Sequence, residues 1–283
     1  MKPVLKKTAS LIITLFIVSL LAFLAFQIIA VHRPVVKQRE LKFSKNACAA
    51  SHLLTNCRCE ECKNIRHAEH IGDMAFEHIL PFIKPGITER EIAFELEFFM
   101  KKQGASALSF DTIVAVGARS ALPHANLTDT KVEEGKVVLM DYGCVYNGYC
   151  SDMTRTVAVG YADDKTKNIY DTVLKAQLAA LDCIKPGTAN KDVDKAARDV
   201  IDNAGYGKTF THSLGHGVGL EIHEAPTLSP KNNEVKLRAG QVVTNEPGIY
   251  LPKKFGVRIE DMLQVKKNGC KNLTKAPKHL IIL

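Results

Sequence analysis

From Ile65 to its end this 283-residue chain repeats itself, one unit following the other by about 100 residues. Related units that pack together build one domain around a shared face, so the duplication limits the fold more than any single motif does. Each unit opens with an amphipathic helix. Ile65, Ala68, Ile71, Ala75 and Ile79 mark the apolar face of the first, and Tyr170, Val173, Leu174, Gln177, Leu178 and Leu181 that of the second. Both helices run into the same stop, Ile83-Lys84-Pro85-Gly86 and Ile184-Lys185-Pro186-Gly187. A second helix follows in each unit. Thr88 and Glu91 form a capping box ahead of Ile92, Leu96, Phe99 and Met100, while Val193, Ala196, Ala197, Val200 and Ile201 face inward in the other copy. Gly104 and Gly205 close these helices as C′ residues.

Strands come next. Residues 134–141 align with 239–246, which sets Asp141 opposite Glu246 in the duplication. Downstream of Asp141, two β-rich runs flank Asn147-Gly148, a pair suited to the positive φ angles of a type I′ hairpin. With those two residues in the loop, Tyr146 pairs with Tyr149 and Gly143 with Asp152. Asp141 and Asp152 then share one face as diagonal neighbours, roughly 7–8 Å apart. In the second unit the counterpart of Asp152 is either Glu260 or Asp261. Two halves related by a pseudo-two-fold axis would bring four carboxylates to one centre. Carboxylates that meet in a buried place cannot all stay ionised without cations, so one or two metal ions are expected there.

Residues 211–226 add three histidines interleaved with Gly215, Gly217 and Gly219, the pattern of a close-packed loop passing into a strand. His216 on this turn is a candidate ligand, since imidazole complements carboxylates at a borderline metal. The glycines do not make a phosphate loop, Ser213 lacks a nucleophile elbow, and no cysteine has an evident histidine partner, so covalent catalysis is not expected.

Charge and hydropathy separate the amino terminus from the rest. Residues 1–66 hold 11 Lys/Arg and 3 Asp/Glu, whereas the remainder holds 27 of each sign, so the net charge of +8 belongs wholly to the start of the chain. Residues 11–31 are uncharged and almost wholly apolar, long enough for a single-pass membrane helix with lipid-facing basic flanks; the side on which the rest would lie is undecided. Nucleic acid is not an expected partner. The expected organisation is an anchor and basic flank over 1–45, a Cys-rich link over 46–64 and a catalytic domain over 65–283. Cys48, Cys57, Cys59 and Cys62 could hold zinc, form disulfides or be incidental thiols; Cys144, Cys150, Cys183 and Cys270 read as small core residues.

Asp141 and, after ten intervening residues, Asp152, with His216 in Leu-Gly-His-Gly-Val-Gly, Glu246 in Asn-Glu-Pro-Gly and Glu260 in Val-Arg-Ile-Glu-Asp, together resemble the pita-bread metallopeptidases, most of all the Xaa-Pro aminopeptidases and Xaa-Pro dipeptidases. The resemblance implies an α+β pita-bread fold with pseudo-two-fold symmetry and a centre of two divalent metals, Mn²⁺ first, with Co²⁺, Fe²⁺ or Zn²⁺ as alternatives. It implies that Asp152 and Glu260 bridge both ions, that Asp141 holds one, and that His216 and Glu246 hold the other. Glu246 would also relay a proton to the leaving amine. His124 and His223 would steady the substrate carbonyl and the tetrahedral intermediate, with His212 near the substrate and Arg258 beside the carboxylates. The implied activity is release of N-terminal residues from peptides, preferably before proline, by a chain that could form a homodimer. Methionine aminopeptidase activity and a non-catalytic binding module are the alternatives. His223-Glu224-Ala225-Pro226 and Arg258-Ile259-Glu260-Asp261 favour the proline-directed branch, and the presence of all five ligands argues against a module without metal. Two departures stand out: the expected anchor and Cys-rich link stand where such aminopeptidases carry a large amino-terminal domain, and polar Asn245 takes the place of an apolar residue before Glu246.

Overall fold

Residues 60–231 and 235–283 are described by a computed structural model, in which the duplication is visible element by element. In the first half α1 (Glu60–Ile79) and α2 (Glu89–Lys102) cover an antiparallel sheet of three strands. Its order is β2 (Ile113–Val116), β3 (Val137–Tyr142) and β6 (Met153–Ala158). In the second half α3 (Asp164–Cys183) and α4 (Asn190–Asn203) share a separate core with the strands around them. The sheet there has five strands: β13 (Gly269–Asn272), β12 (Asp261–Lys266), β9 (Val242–Asn245), β7 (Gly215–Gly217) and β8 (Glu224–Leu228). Even the turns correspond. Gly86 N donates to Val132 O where Gly187 N donates to Leu237 O, and isolated bridges join Thr88 to Lys131 and Ala189 to Lys236.

The expected capping box at Thr88 and Glu91 is present, with both reciprocal hydrogen bonds made. Gly104 and Gly205 follow the caps Gln103 and Ala204 with φ of 101° and 84°, as C′ glycines do.

A hairpin interrupts each half at the same point. β4 (Cys144–Tyr146) and β5 (Tyr149–Cys150) lie between β3 and β6, and β4 also pairs with β1 (Ala107–Leu108). β10 (Gly248–Leu251) and β11 (Phe255–Arg258) lie between β9 and β12. The first hairpin turns at Asn147 (φ 49°) and Gly148 (φ 86°), and Tyr146 pairs with Tyr149. The register carries into the next ladder, where Asp141 stands opposite Thr154, so Asp152 is its diagonal neighbour on the same face. The residue that follows each hairpin and leads into the next strand is acidic: Asp152 in one half, Glu260 in the other. This position settles the choice between Glu260 and Asp261. Asp261 lies within β12, opposite Asn245, and both side chains turn toward α3.

The halves meet where β6 abuts the segment from Arg258 to Asp261. Glu260 N donates to Thr154 O at 3.1 Å, and Thr156 Oγ1 donates to Arg258 O at 3.0 Å. Beside them Arg155, 1% exposed, donates to the carbonyl of Glu260, to those of Ala276 and Pro277, and to the Asp261 carboxylate at 2.8 Å. Asp261 also accepts from Gln177, Asn272 and Lys278. Burial pushes the Asp261 carboxyl up, but Arg155 and Lys278 more than offset this and hold it below its ordinary value.

The expected membrane location is corrected here. Among the described residues no helix is long and apolar enough to cross a membrane. Even the 20-residue α1 breaks its apolar run with Glu61, Lys63, Arg66, Glu69, Asp73 and Glu77. Residues 11–31, on which the expectation rested, lie outside the described residues, as do Cys48, Cys57 and Cys59. Cys62 sits inside α1, buried, with its Sγ accepting from Gln264 Nε2 at 3.1 Å, so the stretch read as a link is helical from Glu60 onward.

Removing the Asp261 carboxylate strands the buried Arg155 guanidinium at the seam and takes a partner from half-buried Lys278. Asp261→Ala should therefore cost about 3–5 kcal/mol of unfolding free energy, measured by denaturant titration. A loss below about 1 kcal/mol would show that the seam network does not hold the halves together.

Candidate metal centre

The sheets deliver the acidic residues from their ends. Asp141 lies near the end of β3, Asp152 just before β6, Glu246 just after β9 and Glu260 just before β12. β7 brings His216 between them, and its flanking glycines are required by close approach. A Cβ on Gly215 would lie 2.2 Å from Thr244 O, and one on Gly217 would lie 2.6 Å from Ala225 O. With both neighbours reduced to backbone, β7 fits between β8 and β9 and His216 faces the cavity.

All five residues line one cavity of about 1010 Å³, and His124, His212, His223 and Arg258 line it too. Ligand atoms of Asp152, His216 and Glu260 lie within 4.8 Å of one another. Glu246 joins through His216, whose Nε2 is 3.5 Å from both Glu246 Oε1 and Asp152 Oδ2. Asp141 stands differently, with Oδ2 taken by Arg258 Nη2 at 2.5 Å and Oδ1 buried without a hydrogen bond.

These residues suit a divalent cation. His216 Nδ1 is 3.1 Å from Gly217 O, and because a carbonyl only accepts, the proton sits on Nδ1 and the lone pair of Nε2 faces the carboxylates. Burial lowers the His216 pKa to about 4, so the ring is neutral. A lone pair directed at carboxylate oxygens is repulsive as it stands and becomes attractive with a cation between them. The acidic groups behave alike. Burial first, then Glu260, Asp141 and Glu246, drive the Asp152 pKa well up, and burial with Glu246 and Asp141 does the same to Glu260. Burial raises Asp141 and lifts Glu246 to about 8, in both cases against the pull of Arg258. The unpartnered Oδ1 of Asp141 is one more acceptor without a donor.

A polar scaffold fixes these side chains, and parts of it are not legible in sequence. Thr154 donates from Oγ1 to Glu260 Oε2 at 2.6 Å while accepting from Arg258 Nε at 2.9 Å. Thr244 donates to Glu246 Oε1 at 3.2 Å and accepts from His216 N at 3.0 Å. Tyr250 OH accepts from Arg258 Nη1 at 2.9 Å and lies 2.8 Å from His212 Nε2. His212 Nδ1 is 2.8 Å from Ser213 O, so it carries the proton, and the Tyr250 hydroxyl donates to Nε2. Burial lowers the His212 pKa to about 4, which keeps this neutral arrangement. Both nitrogens of His212 are thus occupied, and the residue braces the wall more than it offers a free proton donor. Thr154 and Thr244 each lie two residues from an acidic residue of the cluster and so share its face, a signal available to β-alternation; Tyr250 gave no signal of its own. His223 lies against His216, with ring centroids 4.3 Å apart and ring planes tilted by 55°. His124 enters from the loop after Pro123, whose carbonyl accepts from Arg258 Nη1 at 3.3 Å.

The raised carboxyls give the metal-stripped protein a signed pH dependence. For Glu246 the folded value of about 8 exceeds its ordinary 4.5, so its contribution is complete below about pH 4.5 and lost as pH rises through 8. Metal-stripped protein should melt at progressively lower temperature from pH 5 to pH 8, and divalent metal should restore the loss. Melting that is flat with pH and indifferent to metal would contradict a strained carboxylate cluster.

A sequence profile of metallopeptidase family M24 matches residues 63–267. The chain is 51% identical over 224 residues to an uncharacterized peptidase of Bacillus subtilis and 49% identical over 222 residues to an Xaa-Pro dipeptidase of Pyrococcus horikoshii. These alignments cover 79% and 78% of this chain, which spans 63% of the length of each relative. Among solved structures, an Xaa-Pro dipeptidase from Bacillus anthracis superposes with a TM-score of 0.78 at 51% identity, over 82% of this chain and 64% of that one. The likeness agrees with the duplicated α+β pita-bread architecture expected from sequence.

Proposed function

The chain belongs to metallopeptidase family M24, and on that footing we propose that it is a metal-dependent aminopeptidase that cleaves the N-terminal peptide bond, with preference for Xaa-Pro. The observation that carries this reading is the convergence of four carboxylates and one neutral imidazole, with its lone pair turned inward, in a single large cavity. Asp141, Asp152, His216, Glu246 and Glu260 would hold two divalent ions, and a donor set dominated by oxygen favours Mn²⁺. When bound, such ions polarise a scissile carbonyl and lower the pKa of water at the site.

The remaining work falls to the chain's own residues. Glu246, on the cavity wall beside His216, is suited to take a proton from the attacking water and pass it to the leaving amine. His124 and His223, on the cavity wall, are suited to donate to the substrate carbonyl as charge develops on it. Arg258, fully engaged with Asp141, Thr154, Tyr250 and the Pro123 carbonyl, offsets carboxylate charge and fixes the walls. These roles belong to the unit over residues 65–283. The preference for proline rests on relatives named Xaa-Pro dipeptidase and on the His223-Glu224-Ala225-Pro226 motif.

With Mn²⁺ supplied, hydrolysis of Ala-Pro and Ala-Pro-x peptides should exceed that of Met-Ala-x peptides, and chelation should abolish both. Faster release of N-terminal Met would contradict the proline-directed reading. In the same assay His124→Ala should keep its metal yet lose about 10²–10⁴-fold in turnover, the range of a positioned polar group.

A further inference from the structure

Glu89 is the first residue of α2, 0% exposed, and takes no part in the metal centre, yet its carboxylate receives hydrogen bonds from both ends of one loop. Oε1 accepts from Val116 N at 2.9 Å, while Oε2 accepts from Thr128 N at 3.1 Å and Thr128 Oγ1 at 2.6 Å. Arg119 Nε donates to both oxygens, at 2.9 and 3.0 Å, and its Nη2 continues to the Asn126 carbonyl. Between Val116 and Thr128 run the 3₁₀ turn Gly117–Ala121 and then Pro123, His124, Ala125, Asn126 and Leu127, all five of which line the cavity. One carboxylate therefore closes the neck of the loop that presents His124. The loop is tied at its far side as well, where Ser120 Oγ accepts from Gly256 N at 2.8 Å and Pro123 O accepts from Arg258.

A buried carboxylate is costly unless donors surround it, and here the start of a helix adds its own favourable field. The corresponding position in the second half is Asn190, equally buried but uncharged, with only Nδ2 engaged, to Thr227 O at 3.3 Å. The charge appears only in the half that carries His124.

We propose that Glu89 is a positioning residue that fastens the His124 loop at its neck, so that the imidazole meets the substrate in the geometry turnover requires. The proposal rests on the reading of His124 given above. Glu89→Gln keeps the shape but replaces one oxygen by an NH₂ group. Because each oxygen accepts from a backbone N–H, either orientation of the amide sets donor against donor at Val116 or Thr128, and the neck opens.

Three readouts on the metal-loaded full chain test it. Amide exchange by mass spectrometry should quicken in peptides over 113–128 and stay unchanged over 137–157. Metal per chain should not change. Turnover should fall about 10–100-fold, the range for residues that orient a functional group. In the His124→Ala background the same substitution should add almost nothing to the loss, since both changes act through one imidazole. Unchanged exchange, loss of metal, or a turnover loss that adds fully to that of His124→Ala would overturn the proposal. If Glu89→Gln does not fold, Thr128→Val, which removes the 2.6 Å bond, is read by the same criteria with smaller shifts. If His124→Ala alone leaves turnover intact, the role given to His124 fails, while the exchange data still decide whether Glu89 fastens the loop.

Discussion

The contact on which the rest depends is the buried pair of Arg155 and Asp261, which crosses from one half of the duplication to the other. Each residue adjoins the machinery of the centre. Asp261 follows Glu260 directly, and Arg155 follows Thr154, the threonine that donates to Glu260. Arg155 also holds the carbonyl of Glu260, so one guanidinium fixes both the backbone of an acidic residue and its distance from β6. A buried ion pair is seldom a net source of stability, because desolvation offsets its Coulomb gain. Its value here is registry. A slip of one residue along β6 would carry Asp152 and Thr154 to the opposite face.

The duplication makes this economical. Two hairpins inserted at the same place in two sheets leave an acidic residue at the same exit, and facing the halves brings those exits together. The cost is electrostatic. Burial raises the pKa values of all four carboxylates, neighbouring carboxylates add to the rise for Asp152, Glu246 and Glu260, and Arg258 is the largest influence pulling the other way on Asp141 and Glu246. The neutral imidazole of His216 adds a lone pair rather than a counter-charge. The centre is therefore least favourable when empty of cations. Stability given up here is the usual condition of a functional site, and the apolar cores of the described residues supply it elsewhere.

Much of this was legible in the residues. Asn147-Gly148 fixed the hairpin register, and with it the diagonal relation of Asp141 and Asp152, because a type I′ turn leaves little freedom in pairing. The capping box and the C′ glycines marked the helix ends through purely local chemistry. Long-range polar contacts were not legible. Tyr250, Arg258 and His212 come from three separate elements, and no periodicity reports that a hydroxyl will bridge them. Asn245, a departure in sequence, is explained by alternation: it points away from the cavity, to the carbonyl of Gln177 at 2.9 Å, while Glu246 faces inward. The apolar run at 11–31 invited a membrane assignment that no helix of the described residues supports.

The central claim is that acidic residues from both halves form one cation centre, and metal per chain tests it most directly. The measurement compares the unaltered protein with Asp152→Asn and His124→Ala after equilibration with Mn²⁺. Asp152→Asn keeps the side-chain shape and removes one negative charge from the proposed cation centre, where two ions would repel each other, so it should retain less than the full complement of metal. His124→Ala should retain all of it. Full metal content in Asp152→Asn would contradict the account.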